Sequence, residues 1–130
     1  MILFFDRSVG VIVPQLLLWK PLRFPIQIHY HDQHFPIDEK DDVWLNQVGQ
    51  WGWTVIGHDF SYHQKPNELS AIKQYQIGCF YLWGSEATRW DKLKCFARAY
   101  DRILEAETST PKPFIYRVSQ TGRLNPVKIP

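Results

Sequence analysis

With 130 residues, 45% of them hydrophobic and 15% aromatic, the chain has the size of one domain, expected over residues 1–130, and needs no disulfide or metal to fold. No run approaches the ~18 apolar residues of a spanning helix, and Asp6 and Arg7 cut the apolar start short of a secretory signal, so a soluble cytoplasmic protein without membrane contact is expected. The net charge of +2 says little by itself, but residues 1–68 carry five Lys/Arg against eight Asp/Glu, and residues 69–130 carry ten against five.

Met1–Phe5 reads as a short buried strand that ends at Asp6. Val9 to Trp19 is expected as a helix, entered near Ser8 as N-cap and restarted at Pro14. Phe24, Ile26, Ile28 and Tyr30 alternate as in a second strand, and Pro25 places its start at an edge. A polar connection over Pro36–Lys40 leads to a helix from Asp41 to Gln50, with Val43, Trp44, Leu45 and Val48 inward. Trp53–Ile56 forms a third strand running into Gly57, His58 and Asp59. Pro66, Asn67 and Glu68 open a helix through Tyr75, and Cys79–Trp83 is apolar enough for a central fourth strand.

The longest helix is expected to turn Trp90, Leu93, Ala97, Tyr100 and Leu104 inward, with Phe96 and Ile103 widening the stripe. Residues 107–113 read as a loop, and Phe114–Ser119 with Arg123–Ile129 as a β-hairpin whose second arm, carrying Pro126, is an edge. Strands alternating with helices predict an α/β fold with a mainly parallel sheet. Cys79 and Cys95 lack metal-ligand spacing and are expected as reduced interior residues.

In such sheets ligands bind beyond the carboxyl ends of the strands. Asp6 and Asp59 both follow a strand directly, where a carboxylate is costly unless paired or bound to metal. For Asp6 a capping role or a pair with Arg7 is the competing explanation. Asp41, Asp42 and Glu68 stand in first helical turns, where the helix dipole accounts for an acid equally well. Mg²⁺ and Mn²⁺ take oxygen ligands, so these acids, without an internal nucleophile, point to metal-assisted hydrolysis. His29, His31, Asp32 and His34 form a rival zinc cluster without finger spacing, and His58 and His63 flank Asp59. Arg89, Lys92, Lys94, Arg98 and Arg102 mix with acids on the long helix, as a solvated face does. No Walker A, GxGxxG, GxSxG or HExxH pattern occurs.

Taken in order, FFDRSVG (4–10), HYHDQHFP (29–36), DDVWLNQVGQWGWTVIGHD (41–59), KPNELSAI (65–72), GCFYLW (78–83), RWDKLKCFARAYDRI (89–103) and PFIYRV (113–118) resemble the PIN-like domain family related to VapC-type toxin ribonucleases. The resemblance implies a three-layer α/β/α fold and an Mg²⁺- or Mn²⁺-dependent endoribonuclease. It implies catalytic Asp6, Asp41, Asp59 and Glu68, the first three as metal ligands. The fourth strand departs from the family pattern: it ends Leu82-Trp83-Gly84-Ser85-Glu86, without an aspartate at its tip. Arg7, His58 and Lys65 are the expected phosphate contacts. The expected partners are an RNA substrate, a cognate antitoxin protein and a second copy of the chain. The alternatives are a non-catalytic binding module with a degenerate acidic site, and a receiver-like phosphoryl-transfer domain.

Overall fold

The computed structural model describes residues 1–58, 64–84 and 86–130. Five strands run parallel: β1 (Ile2–Phe5), β2 (Gln27–Tyr30), β3 (Thr54–Gly57), β4 (Gly78–Leu82) and β5 (Phe114–Val118). A sixth, β6 (Leu124–Val127), returns antiparallel to β5, and the sheet order is β2-β1-β3-β4-β5-β6. The fold is therefore the expected α/β sheet closed by a C-terminal hairpin. Pro126 lies in β6 at the sheet edge, where no further strand needs its missing N–H. All five residues of β4 are buried between β3 and β5, as its unbroken apolar run predicts.

Helices cover both faces. On one, α1 (Ile12–Leu17) and α5 (Arg89–Ser109) pack Val13, Leu17, Cys95, Phe96, Ala99 and Ile103 onto strand residues such as Leu3, Phe5, Ile56 and Phe80. On the other, α3 (Asp41–Gln50) and α4 (Pro66–Gln74) pack Trp44, Leu45, Val48, Ala71 and Ile72 onto Phe4, Val55, Cys79 and Tyr81. The alternation Leu3, Phe4, Phe5 between the two cores is the period-2 pleat of a strand covered on both faces. Each such fully buried side chain contributes roughly 1.5–3 kcal/mol by leaving water.

Several expectations are corrected. The first helix begins at Ile12, not Val9, because Ser8 turns back onto Asp6 instead of capping a helix, and Gly10 takes a positive φ of 87°. It stops at Leu17, and a 3-10 turn follows over Lys20–Leu22. β2 starts at Gln27, leaving Phe24 and Pro25 outside it, and β3 starts at Thr54. A one-turn helix, α2 (His31–His34), appears where none was expected, closed by the Gln33 side chain accepting from the Tyr30 N–H at 3.0 Å.

Val43 is exposed, as are Trp90 and Ala97. The buried stripe of α5 is Cys95, Phe96, Ala99, Ile103 and Ala106, which pack into the core with α1 and the sheet. The same helix continues through Ser109 into the expected loop. Cys79 and Cys95 are both free and buried. Among the described residues no helix is long and apolar enough to cross a membrane.

Candidate functional site

The chain leaves β1 for β2 on one side and then places β3 on the other, so strand order reverses between β1 and β3. The crevice beyond their carboxyl ends is where open α/β sheets take ligands. Asp6 follows β1 there, and Gly57 closes β3. Helices α3, α4 and α5 each begin after a parallel strand, so their first turns stand at the same edge. That topology collects Asp41, Asp42, Glu68, Arg89 and Lys92 near it from well-separated parts of the sequence.

Asp6 is 1% exposed. Its Oδ1 accepts the Ser8 backbone N–H at 2.6 Å and the Ser8 hydroxyl. The Ser8 hydroxyl oxygen in turn accepts the His58 N–H at 2.9 Å, which ties the turn after β1 to the end of β3. The His58 ring is hydrogen-bonded to the Gly84 carbonyl beyond β4. Oδ2 lies over Gly57, where a Cβ would stand 2.5 Å from it and 2.8 Å from the Tyr81 ring. Glycine at this position therefore makes the room the carboxylate occupies. From the far side of the sheet's edge, Lys92 Nζ donates to the Ser8 carbonyl at 3.0 Å. Burial, and then the charge of Arg89, push the Lys92 ammonium below its ordinary range, with the Asp6 charge opposing.

The other acids sit in a neighbouring cleft of about 530 Å³ whose lining includes Arg7, Asp41, Asp42, Lys65, Asn67 and Glu68. Arg7 donates to the Ile37 carbonyl at 2.8 Å, to the Glu39 carbonyl, and to Asp41 Oδ1 at 2.8 Å. Asp41 Oδ1 also accepts the Trp44 indole N–H at 3.0 Å. Glu68 is 3% exposed, with Lys65 Nζ 3.8 Å from its Oε1. Arg7 and Lys65 thus stand against carboxylates, and His58 against a carbonyl, at the positions where phosphate contacts are expected. Asp6 is not among the residues lining this cleft. Asp59 and His63, and Ser85 at the tip of β4, lie outside the described residues.

The histidine cluster is a packing unit. His29 Nδ1 and His34 Nε2 are 2.9 Å apart, and the His29 ring stacks on Trp53 at 4.3 Å between centroids. Burial, then the neighbouring His34, lower the His29 pKa. His31 is buried with Nε2 2.9 Å from the Pro36 carbonyl oxygen.

Lys92, read from the sequence as part of a solvated helix face, is instead turned onto the Ser8 carbonyl beside Asp6. Its signal was the placement rule itself: a cation in the first turn of a helix that follows a parallel strand stands at the ligand edge. The buried carboxylates Asp6 and Glu68 supply the hard oxygen donors that Mg²⁺ or Mn²⁺ takes. By donor chemistry they fit such an ion, although among the described residues no three His, Cys, Asp or Glu are gathered closely enough to hold one.

A family model described as a PIN like domain matches residues 1–84, from β1 through the turn after β4. Comparison with curated proteins and with solved structures returns no match.

Proposed function

The chain belongs to the PIN-like domain family, whose fold is of the nuclease type, and on that premise we propose that it is a metal-dependent endoribonuclease. The observation that carries the proposal is Asp6, a carboxylate buried to 1% exposure at the strand-order reversal, with the Cβ-free surface of Gly57 beneath it. A buried carboxylate at the crevice where open α/β sheets take ligands is an oxygen donor placed for a cation.

Asp6, Asp41 and Asp59 are the residues that would hold Mg²⁺ or Mn²⁺, with Glu68 as a further acid of the site. When bound, the ion supplies Lewis acidity at the phosphate and lowers the pKa of an attacking water. The chain's own part is positional. Ser8 holds Asp6 through Oδ1, which leaves the carboxylate one orientation and keeps Oδ2 over Gly57. The link from Ser8 to the His58 N–H keeps the ends of β1 and β3 together, so the site does not open as the substrate enters. Hydrolysis by water is the reaction class of the proposal, with the Ser8 hydroxyl engaged in holding Asp6. On the resemblance of its motifs to VapC-type toxins, the proposal extends to the toxin of a toxin–antitoxin pair, acting on RNA in the cytoplasm, with a cognate antitoxin and a second copy as partners.

The test is Asp6→Asn, which keeps an oxygen for the Ser8 N–H and so preserves the turn. Mn²⁺-dependent cleavage of RNA is expected to vanish while the thermal midpoint stays within a few degrees. Full cleavage by the variant would overturn the assignment.

One observation favours a second reading, a binding module with a relic acidic site. Arg7 already neutralises Asp41. Calorimetry with Mn²⁺ separates the two: no heat of binding selects the module.

A further inference from the structure

A nuclease needs cations that receive the scissile phosphodiester, and those anticipated for this role are committed elsewhere. Arg7 spends its guanidinium on Asp41 and two carbonyls, and Lys65 lies against Glu68. Lys92 differs. It lies 84 residues from Ser8 in sequence, yet its ammonium meets the Ser8 carbonyl at 3.0 Å, two residues from Asp6. That contact uses one of three N–H donors. Among the described residues it has no carboxylate within ion-pair distance, whereas Lys94 on the same helix has Asp91 at 3.6 Å.

Arg89 stands three residues earlier on α5, on the same side, and its guanidinium comes within 3.8 Å of where a Cβ on Gly10 would be. Two cations therefore face the turn after β1 that carries Asp6. An anion placed between two such cations relieves their mutual repulsion. Beside them Trp90 is 64% exposed, and Trp83, just past the carboxyl end of β4, is 39% exposed. Exposed indoles next to a cationic edge suit unpaired bases, which have faces free to stack.

Resting on the nuclease reading, we propose that Lys92 and Arg89 form the phosphate-binding side of the Asp6 site, with Trp90 stacking a base next to the phosphate they hold. The clamp grips the backbone from the α5 face while the acids lie beneath it, so affinity comes from one helix and chemistry from the strand ends. Such binding is insensitive to base sequence.

The experiment measures binding apart from cleavage. Fluorescence anisotropy of a labelled single-stranded oligoribonucleotide is read in EDTA, against a salt series, for the wild type, Lys92→Gln, Lys92→Arg and Trp90→Ala. Glutamine still donates to the Ser8 carbonyl, so Lys92→Gln is expected to keep its thermal midpoint. It should weaken binding about tenfold and flatten the log–log salt slope by about 0.7, equally for U-rich and A-rich strands. Lys92→Arg should bind as the wild type does. Trp90→Ala should weaken the single strand while leaving weaker duplex binding unchanged. Wild-type binding with an unchanged slope in Lys92→Gln overturns the clamp alone, and a preference for duplex over single strand overturns the stacking by Trp90. Absence of RNA binding by the wild type removes the nuclease reading and the clamp together.

Discussion

Asp6 keeps its place because two neighbours were chosen around it. Ser8 supplies hydrogen bonds to one oxygen, and Gly57 withholds a side chain from the other. Gly57→Ala would put a methyl 2.5 Å from Oδ2 and 2.8 Å from the Tyr81 ring. It is expected to cost about 1–3 kcal/mol in urea unfolding and to remove most of the RNA cleavage. Wild-type stability and activity would show that the carboxylate has room to move. Arg7 makes a contrasting case, since its fork joins the loop before α3 to Asp41. Arg7→Ala is expected to destabilise by roughly 1.5–3 kcal/mol, at the lower end because the side chain is partly exposed. Arg7→Lys should recover only part of that, since an ammonium cannot reproduce the fork. Neither role was legible in the sequence, where Asp6 with Arg7 was the visible pair. The turn at Ser8 aims the arginine away from its neighbour and toward a residue 34 positions on.

At the scale of elements, β4 shows what burial on both faces does to a titratable group. Burial above all pushes the Cys79 thiol from 9.0 up to about 12; a hydrogen bond with Tyr81 opposes it, and the Asp6 charge adds a smaller push upward. The folded chain thus holds this proton more tightly than the unfolded chain. Its contribution to stability is complete below pH 9.0 and is lost as pH rises from there through about 12. The urea midpoint of the wild type is expected to fall more steeply between pH 8 and pH 10.5 than that of Cys79→Ala, and native Cys79 should resist alkylation at neutral pH. In α5, Thr88 accepts the Asp91 N–H at 3.1 Å and Asp91 accepts in return from Thr88, a capping box legible only once the helix start is known. Thr88→Ala should cost about 1 kcal/mol by thermal or urea unfolding. The helix itself was plain from periodicity. Its inward face was not: Trp90 and Ala97 fit the apolar period yet are exposed, and Cys95, Ala99 and Ala106 are buried in their place.

For the molecule as a whole, the proposed ion links folding to binding. An ion that binds the folded chain at a hundred times its dissociation constant adds about 2.7 kcal/mol, a rise in thermal midpoint on the order of 10 °C for a chain of this size. Mn²⁺ is expected to produce that rise in the wild type and to lose it in Asp6→Asn; an equal rise in both would place the ion elsewhere. By itself, the sequence determined the succession of strands and helices and the acid that ends β1, because hydrophobic period and turn residues are local signals. It also determined the family, through motifs spread along the chain. Only the tertiary structure decided which polar groups face one another: Arg7 with Asp41, Lys92 with the turn that holds Asp6, and Glu107 with the Thr54 hydroxyl at 2.8 Å. Those partners are brought together by strand order, and strand order follows from how two helical layers bury one sheet. No stretch of sequence carries that information alone.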